Sequence, residues 1–233
     1  MKIDILAIGA HPDDVELAAS GTLIKHKKAG YKTGIVDLTQ GELGTRGSAA
    51  LRLQEATNAA EMMKLDCREN LKLKDGFFEV EEAQLLKVVE AIRKYQPNVV
   101  FANAIQDRHP DHGRGSELVS RACFLSGLVR IDTNQEPWRP NSVYHYIQDR
   151  NINPDFVVDI SEHWDQKMKS ILAYSSQFYN PESDEPNSPI SSKEFIQFLE
   201  SRAREFGRMI GAEFGEGFTT ERPVGVNDIF SLK

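Results

Sequence analysis

Four short apolar runs, each followed by a stretch of helical periodicity, most constrain what this chain can fold into. Residues 3–9 (IDILAIG), 33–38 (TGIVDL), 69–73 and 98–102 (NVVFA) read as strands, the apolar ones as expected for strands covered on both faces. Residues 15–29, 49–63, 81–95 and 113–125 carry helical patterns between and after them, the first closed by Gly30. A β-α-β-α-β-α-β order calls for a parallel sheet with right-handed crossovers, hence an α/β fold. Further strands are expected at 142–148 and 156–159, and helices at 161–176 and 193–211. Residues 179–192, rich in Pro, Ser, Asp and Asn, read as a loop or lid rather than a domain linker. With no internal repeat, residues 1–233 form one expected domain, long enough to bury roughly three quarters of the unfolded surface.

Composition narrows the function classes. The net charge of −7 and the absence of a Lys/Arg cluster with interleaved aromatics argue against a nucleic-acid partner. No run approaches the roughly 18 apolar residues of a membrane span, and the N-terminus lacks the apolar core of a signal peptide. Cys67 and Cys123, without CxxC spacing, read as small buried thiols in a reducing compartment, so a cytoplasmic protein is expected.

Two polar runs stand directly after the first and fourth strands: Ala10-His11-Pro12-Asp13-Asp14 and Asp107-Arg108-His109-Pro110-Asp111-His112. In the doubly wound order 3-2-1-4-5 those strands are neighbours, and the crevice at their carboxyl ends is where such folds bind ligands. Taken singly, each run is also what a solvated turn or a helix cap would show, with Asp14 as an N-cap. Together they contain a catalytic metal's three protein ligands, for instance His11, Asp14 and His112, with an open position for water. Asp13 is then free to act as general base. His109, protonated and held by a carboxylate such as Asp111, can stabilise an oxyanion or protonate a leaving amine. These roles fit amide hydrolysis with Zn2+, and Fe2+ suits the same ligands. His26, His145 and His163 lack this context and read as structural. The loop 41–47 (GELGTRG) lacks the Gly-Lys-Ser/Thr of a P-loop. It reads instead as a pocket wall, with Arg46, Arg52 or Arg108 pairing an anionic group of the substrate.

At AHPDD (10–14) and HPDH (109–112) the sequence resembles the PIG-L/LmbE-like family of metal-dependent N-acetylglucosaminyl deacetylases. GELGTRG at 41–47, Arg52, Glu55, DRHPDHGRGSELV at 107–119, FLSGL at 124–128 and GEGF at 215–218 narrow the similarity to the bacillithiol biosynthesis deacetylases. The resemblance implies a Rossmann-like, three-layer LmbE-like fold with a mostly parallel sheet. It also implies hydrolysis of the N-acetyl group of N-acetylglucosaminyl-malate, an amino-sugar substrate. By position it carries metal ligation to His11, Asp14 and His112, the base to Asp13 and the oxyanion or acid role to His109. It further implies a homo-oligomer, often a hexamer. Many relatives have Gly-Gly after the first motif, where this chain has Ala19-Ser20-Gly21. Competing readings are a deacetylase or amidase for another GlcNAc conjugate (a thiol S-conjugate or a chitooligosaccharide), a non-haem iron oxygenase built on the same two-His, one-carboxylate set, and a catalytically silent sugar-binding module.

Overall fold

The structure, a computed structural model, describes residues 1–232. One sheet of seven strands runs through the molecule in the order β3-β2-β1-β4-β5-β7-β6. The strands are β1 (Ile5–Gly9), β2 (Thr33–Thr39), β3 (Cys67–Leu73), β4 (Val99–Ala102), β5 (Ser142–Tyr146), β6 (Phe156–Asp159) and β7 (Gly215–Thr220). The first five are mutually parallel, with β1 between β2 (Ala7 opposite Ile35) and β4 (Ala7 opposite Phe101). The expected 3-2-1-4-5 order is therefore present, and the two motif-bearing strands are neighbours. The helices are α1 (Asp14–Lys28), α2 (Ala49–Met63), α3 (Glu82–Tyr95), α4 (Pro110–Leu125), α5 (Trp164–Leu172) and α6 (Lys193–Met209).

The period-2 alternation of β1 divides the core into layers. Leu6 and Ile8 pack with Val88, Val89 and Ile92 of α3 and Leu118, Val119 and Ala122 of α4. Ile5 and Ala7 face the other way, onto Val15, Ala18, Leu23 and Ile24 of α1, with Phe101, Tyr146 and Phe218. A third cluster, Ala56, Ala59, Ile171, Tyr174, Phe178 and Leu199, joins α2, α5 and α6 behind α1. Helices thus cover both faces of a mostly parallel sheet, the expected three-layer α/β architecture.

Two expectations need correction. The helix expected over 161–176 is a 3-10 turn (Ser161–His163) and a short α5 ending at Leu172. Beyond it, the Ser176 N–H and hydroxyl both donate to Glu55 at 2.7 Å, so the backbone leaves the helical path to satisfy a buried carboxylate. The final strand, β7, was not expected as a strand at all. It pairs antiparallel with β5 and β6, and its Gly-Glu-Gly-Phe start carries no strand propensity. Packing explains the glycine at 215: a Cβ there would stand 2.6 Å from Val157 and 2.8 Å from the Gly207 nitrogen of α6.

Candidate metal and substrate site

Both polar runs leave the sheet at the switch point between β1 and β4. The first turns sharply into α1. Asp13, at its N-cap, accepts no capping hydrogen bond with its side chain and has φ 113°, a left-handed conformation unusual for a residue with a Cβ. Such backbone costs of order 1–3 kcal/mol and persists where the surroundings over-determine it. Here they do: Arg52 of α2 donates from Nε to the Pro12 carbonyl (3.1 Å) and from Nη2 to Asp13 Oδ2 (2.6 Å). The second run enters α4 with His109 as N-cap and Pro110 in the first turn, the arrangement Pro favours.

Three imidazoles meet between the runs. Ring centroids lie 4.7 Å apart for His11 and His109, 5.1 Å for His109 and His112, and 5.7 Å for His11 and His112. The Asp14 carboxylate stands between two of them, with Oδ2 3.6 Å from His11 Nδ1 and Oδ1 3.0 Å from His112 Nε2. It is held by the His11 backbone N–H (2.9 Å), Asn103 (3.0 Å) and Gln148 (3.1 Å). The far side of each imidazole is braced by carboxylates. His11 Nε2 faces Asp75 (3.1 Å) and Asp111 (3.4 Å), and His112 Nδ1 faces Asp107 (2.5 Å). His11 therefore offers Nδ1, and His112 Nε2, to the space beside Asp14. Carboxylates behind metal-facing imidazoles are the usual way a site fixes tautomer and ring orientation.

The electrostatics describe a place prepared for positive charge. Burial disfavours protonated His112, yet Asp14 and Asp107 outweigh it and raise its pKa to about 9. The same contest at His11, against burial, is won by Asp111, Asp14 and Asp75, which raise its pKa well above the ordinary value. Burial likewise opposes ionised Asp14, but the two imidazoles hold its carboxyl well below the usual range. A divalent cation would take the place of those protons. His11, His109 and His112, and separately His11, Asp75 and Asp111, each bring ligand atoms within 4.8 Å of one another.

His109 and Asp111 are not related as expected. Burial first, then the neighbouring His11 and His112, lowers the His109 pKa. Its Nδ1 accepts the Asp111 backbone N–H at 3.2 Å, so the neutral ring carries its proton on Nε2. The Asp111 carboxylate points away from His109, accepting from the Gly76 N–H (2.8 Å) and Arg114 (2.8 Å) and bracing His11. Its place in the first turn of α4 aims it back across the sheet end. It therefore positions His11 and does not hold a protonated His109.

A cavity of about 540 Å³ opens over this cluster, lined by His11, Asp13, Asp14, His109 and His112. The residues 179–192 form neither helix nor strand, as expected, and Ser188, Pro189 and Ile190 help line the cavity. Of the arginines singled out for substrate, all three line it. Arg52 is committed to Asp13, and half-exposed Arg108 donates to Asp149. Buried Arg46 donates to the Phe178 carbonyl (3.3 Å) and the Ser183 hydroxyl (2.5 Å), tying two loops together.

Sequence reasoning missed Asp75, Asn103 and Gln148, and gave Asp107 no role. A signal existed, because Asp75, Asn103 and Gln148 all lie within two residues of the ends of β3, β4 and β5. Arg202, a fourth arginine lining the cavity, comes from α6 and carried no local signal. The remaining histidines are structural: His26 bonds the Thr22 carbonyl (2.8 Å), buried His145 bonds Ser116 (2.9 Å) and Glu221 (3.1 Å), and His163 meets Lys28 (3.2 Å).

Fold and site together define a doubly wound α/β protein with a His/Asp cluster suited to a metal at its switch point. The model of the PIG-L family, GlcNAc-PI de-N-acetylase, matches residues 6–123, just over half of the sequence, and the chain belongs to that family. It is similar to a diacetylchitobiose deacetylase of Thermococcus kodakarensis, 26% identical over 229 residues, covering 91% of this chain and 81% of the relative. It is also similar to a probable N-acetyl-α-D-glucosaminyl L-malate deacetylase 2 of Bacillus anthracis, 25% identical over 191 residues, covering 75% of this chain and 81% of that one. Among solved structures, the conserved protein TT1542 of Thermus thermophilus superposes with a TM-score of 0.88 at 35% identity, covering 97% of this chain and 98% of the other. No helix among the described residues is long and apolar enough to cross a membrane.

Proposed function

We propose that the chain is a metal-dependent deacetylase that removes the N-acetyl group from N-acetyl-D-glucosaminyl-L-malate, releasing acetate and the free amine. The observation that carries the reaction is the Asp14 carboxylate lying between His11 Nδ1 and His112 Nε2, with Asp13 fixed beside it by Arg52. His11, Asp14 and His112 would hold the metal. Two neutral imidazoles and one carboxylate suit zinc, and ferrous iron is the alternative. A metal there supplies a Lewis acid that polarises the acetamide carbonyl and acidifies water.

This chain's residues do the rest. Asp13 accepts the proton of the attacking water with the oxygen that Arg52 leaves free. Burial, opposed by Arg52, raises the Asp13 pKa to about 7, in the range where a general base works well. The His109 Nε2–H donates to the oxygen that gains charge as the water oxygen bonds to the acyl carbon. The C–N bond then breaks, and the amine leaves with the proton Asp13 had taken. Support for an anionic aglycone comes from the pocket lining, in which Arg46, Arg52, Arg108 and Arg202 balance Asp13, Asp14, Asp75 and Asp149. A dication makes that balance positive. The similarity to the probable malate deacetylase supports the same substrate, and the similarity to the chitobiose enzyme supports a neutral one.

Acetate release from the malate conjugate, free GlcNAc, N,N'-diacetylchitobiose and a thiol S-conjugate, with metal analysis of the same sample, tests this reading. Preference for the malate conjugate supports it, and preference for chitobiose overturns the substrate. Asp13→Ala should retain the metal and lose roughly 10²–10⁴ in kcat. Loss of the metal in that variant would make Asp13 a ligand instead.

A further inference from the structure

We propose that Arg202 is the specificity-determining residue that binds an anionic group, carboxylate or phosphate, on the aglycone of the substrate, an inference that rests on the acetamido-sugar reading above. The four arginines of the cavity differ in what already neutralises or occupies them. Arg52 and Arg108 each have a carboxylate, Asp13 and Asp149. Arg46 spends its two terminal nitrogens closing one loop onto another. Arg202, like Arg46, meets only neutral acceptors, but it is partly exposed where Arg46 is buried. Its Nη1 donates to the Gln148 carbonyl and its Nη2 to the Leu17 carbonyl (2.9 Å), and no carboxylate among the described residues is ion-paired with it.

Main-chain carbonyls orient a guanidinium without discharging it. The fork has five N–H groups, so those two bonds leave donors for a ligand. The surroundings make the charge costly: Phe198 lies under the guanidinium at 5.3 Å, and Ile190, Phe195 and Leu199 line the same cavity wall. Burial lowers the Arg202 pKa to about 10, and Asp149, Glu216 and Asp107 offset it only through space. An under-compensated cation in an apolar wall binds an incoming anion more strongly than the same group in water. Arg204, two residues on, shows the contrast. It faces solvent and pairs with Glu200 (2.9 Å) and Glu213 (3.3 Å), so it has nothing to gain from a ligand.

The test must separate anion recognition from a structural role. Arg202 holds the Gln148 carbonyl, and the Gln148 amide donates to Asp14, so a purely structural residue would disturb the metal site. Arg202→Gln and Arg202→Lys are compared with wild type by KM and kcat on GlcNAc-malate and on neutral N,N'-diacetylchitobiose, with metal content. Calorimetric titration with L-malate and with inorganic phosphate adds a readout that needs no turnover. A charge-assisted hydrogen bond is worth about 1.5–3 kcal/mol, or roughly 10–150-fold. Arg202→Gln should therefore raise KM for the malate conjugate at least about 10-fold more than for chitobiose, with Arg202→Lys between. Malate or phosphate binding, whichever wild type shows, should be lost in Arg202→Gln, and the titrant that binds identifies the anion. Equal losses on both substrates, falling metal content with no selective KM change, or anion binding absent or indifferent to Arg202→Gln would overturn the assignment. Acetate release from no substrate would refute the proposed reaction, while the titration would still decide for or against Arg202.

Discussion

Glu216→Ala should be among the most destabilising single changes in this protein, although it is far from the reacting groups in sequence. Glu216 lies on β7, fully inside, and accepts three hydrogen bonds: from the Gly21 N–H at 2.9 Å, the Thr22 N–H at 2.7 Å and Lys167 Nζ at 2.7 Å. Among the described residues Lys167, equally buried, otherwise donates only to the carbonyls of Glu16 and Leu17, both at 3.0 Å. Burial pulls the Lys167 pKa down against the opposing pull of Glu216, so the ammonium depends on that carboxylate. Removing one partner of a buried pair leaves an uncompensated charge and costs about 3–5 kcal/mol. For a chain of this size that is a fall of roughly 6–20 °C in Tm. Glu216→Gln should cost nearly as much, because its amide NH2 must face one of three donors. The double variant Lys167→Met/Glu216→Leu should recover much of the loss, giving a coupling of at least about 2 kcal/mol in a double-mutant cycle. Urea unfolding of wild type, Glu216→Ala, Glu216→Gln, the single variants Lys167→Met and Glu216→Leu, and the double variant measures all of this. A Glu216→Ala cost below about 1 kcal/mol would show that Glu216 does not tie β7 to α1 and α5, and additivity in the cycle would show that the pair with Lys167 of α5 contributes nothing.

Three further outcomes follow from other parts of the structure. His112→Ala should abolish metal binding, whereas Asp107→Asn, which removes only the brace on His112 Nδ1, should weaken it about 10–100-fold; equilibrium dialysis distinguishes them, and full metal occupancy in His112→Ala would remove that residue from the ligand set. At Asp66 burial raises the pKa, but Lys27 (2.6 Å) and the Thr33 N–H (2.9 Å) prevail and lower it from 3.8. Its contribution to stability is thus complete above that value and is lost as pH falls through the lowered folded pKa. The stability gap between wild type and Asp66→Asn should be constant at neutral pH and close in acid, and a gap that widened in acid would contradict this. Burial pushes the Cys67 thiol up to about 11, and Cys123 rises too, so a thiol-directed chromogen at pH 8 should react far faster with the urea-unfolded chain than with the native protein. Equal rates would show that these thiols are not protected by the fold.

How much of this could be seen in the sequence depended on the range of the interaction. Strands β1 and β2 and helices α2 and α3 were legible because apolar periodicity is local. So was the neighbouring position of β1 and β4, since parallel crossovers admit few topologies. Helix α4 was expected from 113 and begins about a turn earlier, at Pro110 with His109 as its N-cap. Strand β7 was not legible, because its glycines are selected by the approach of α6 and Val157, not by strand preference. The end of α5 was decided by Glu55, far upstream.

The sequence by itself determined that His11, Asp13, Asp14, His109 and His112 would meet at one crevice, because strand ends in a doubly wound sheet leave them nowhere else to go. Only the tertiary structure decided what each is bound to. Asp111 braces His11 and not His109, Asp75 and Gln148 join the cluster from β3 and β5, and Arg52 is consumed by Asp13. Hydrogen bonds act over about 3 Å and between residues far apart in the chain, so no spacing rule encodes them. The same reason hid Arg202. On the helix pattern alone it is one more polar position, and only the folded chain places it in the wall of the pocket, with no ion-paired carboxylate among the described residues.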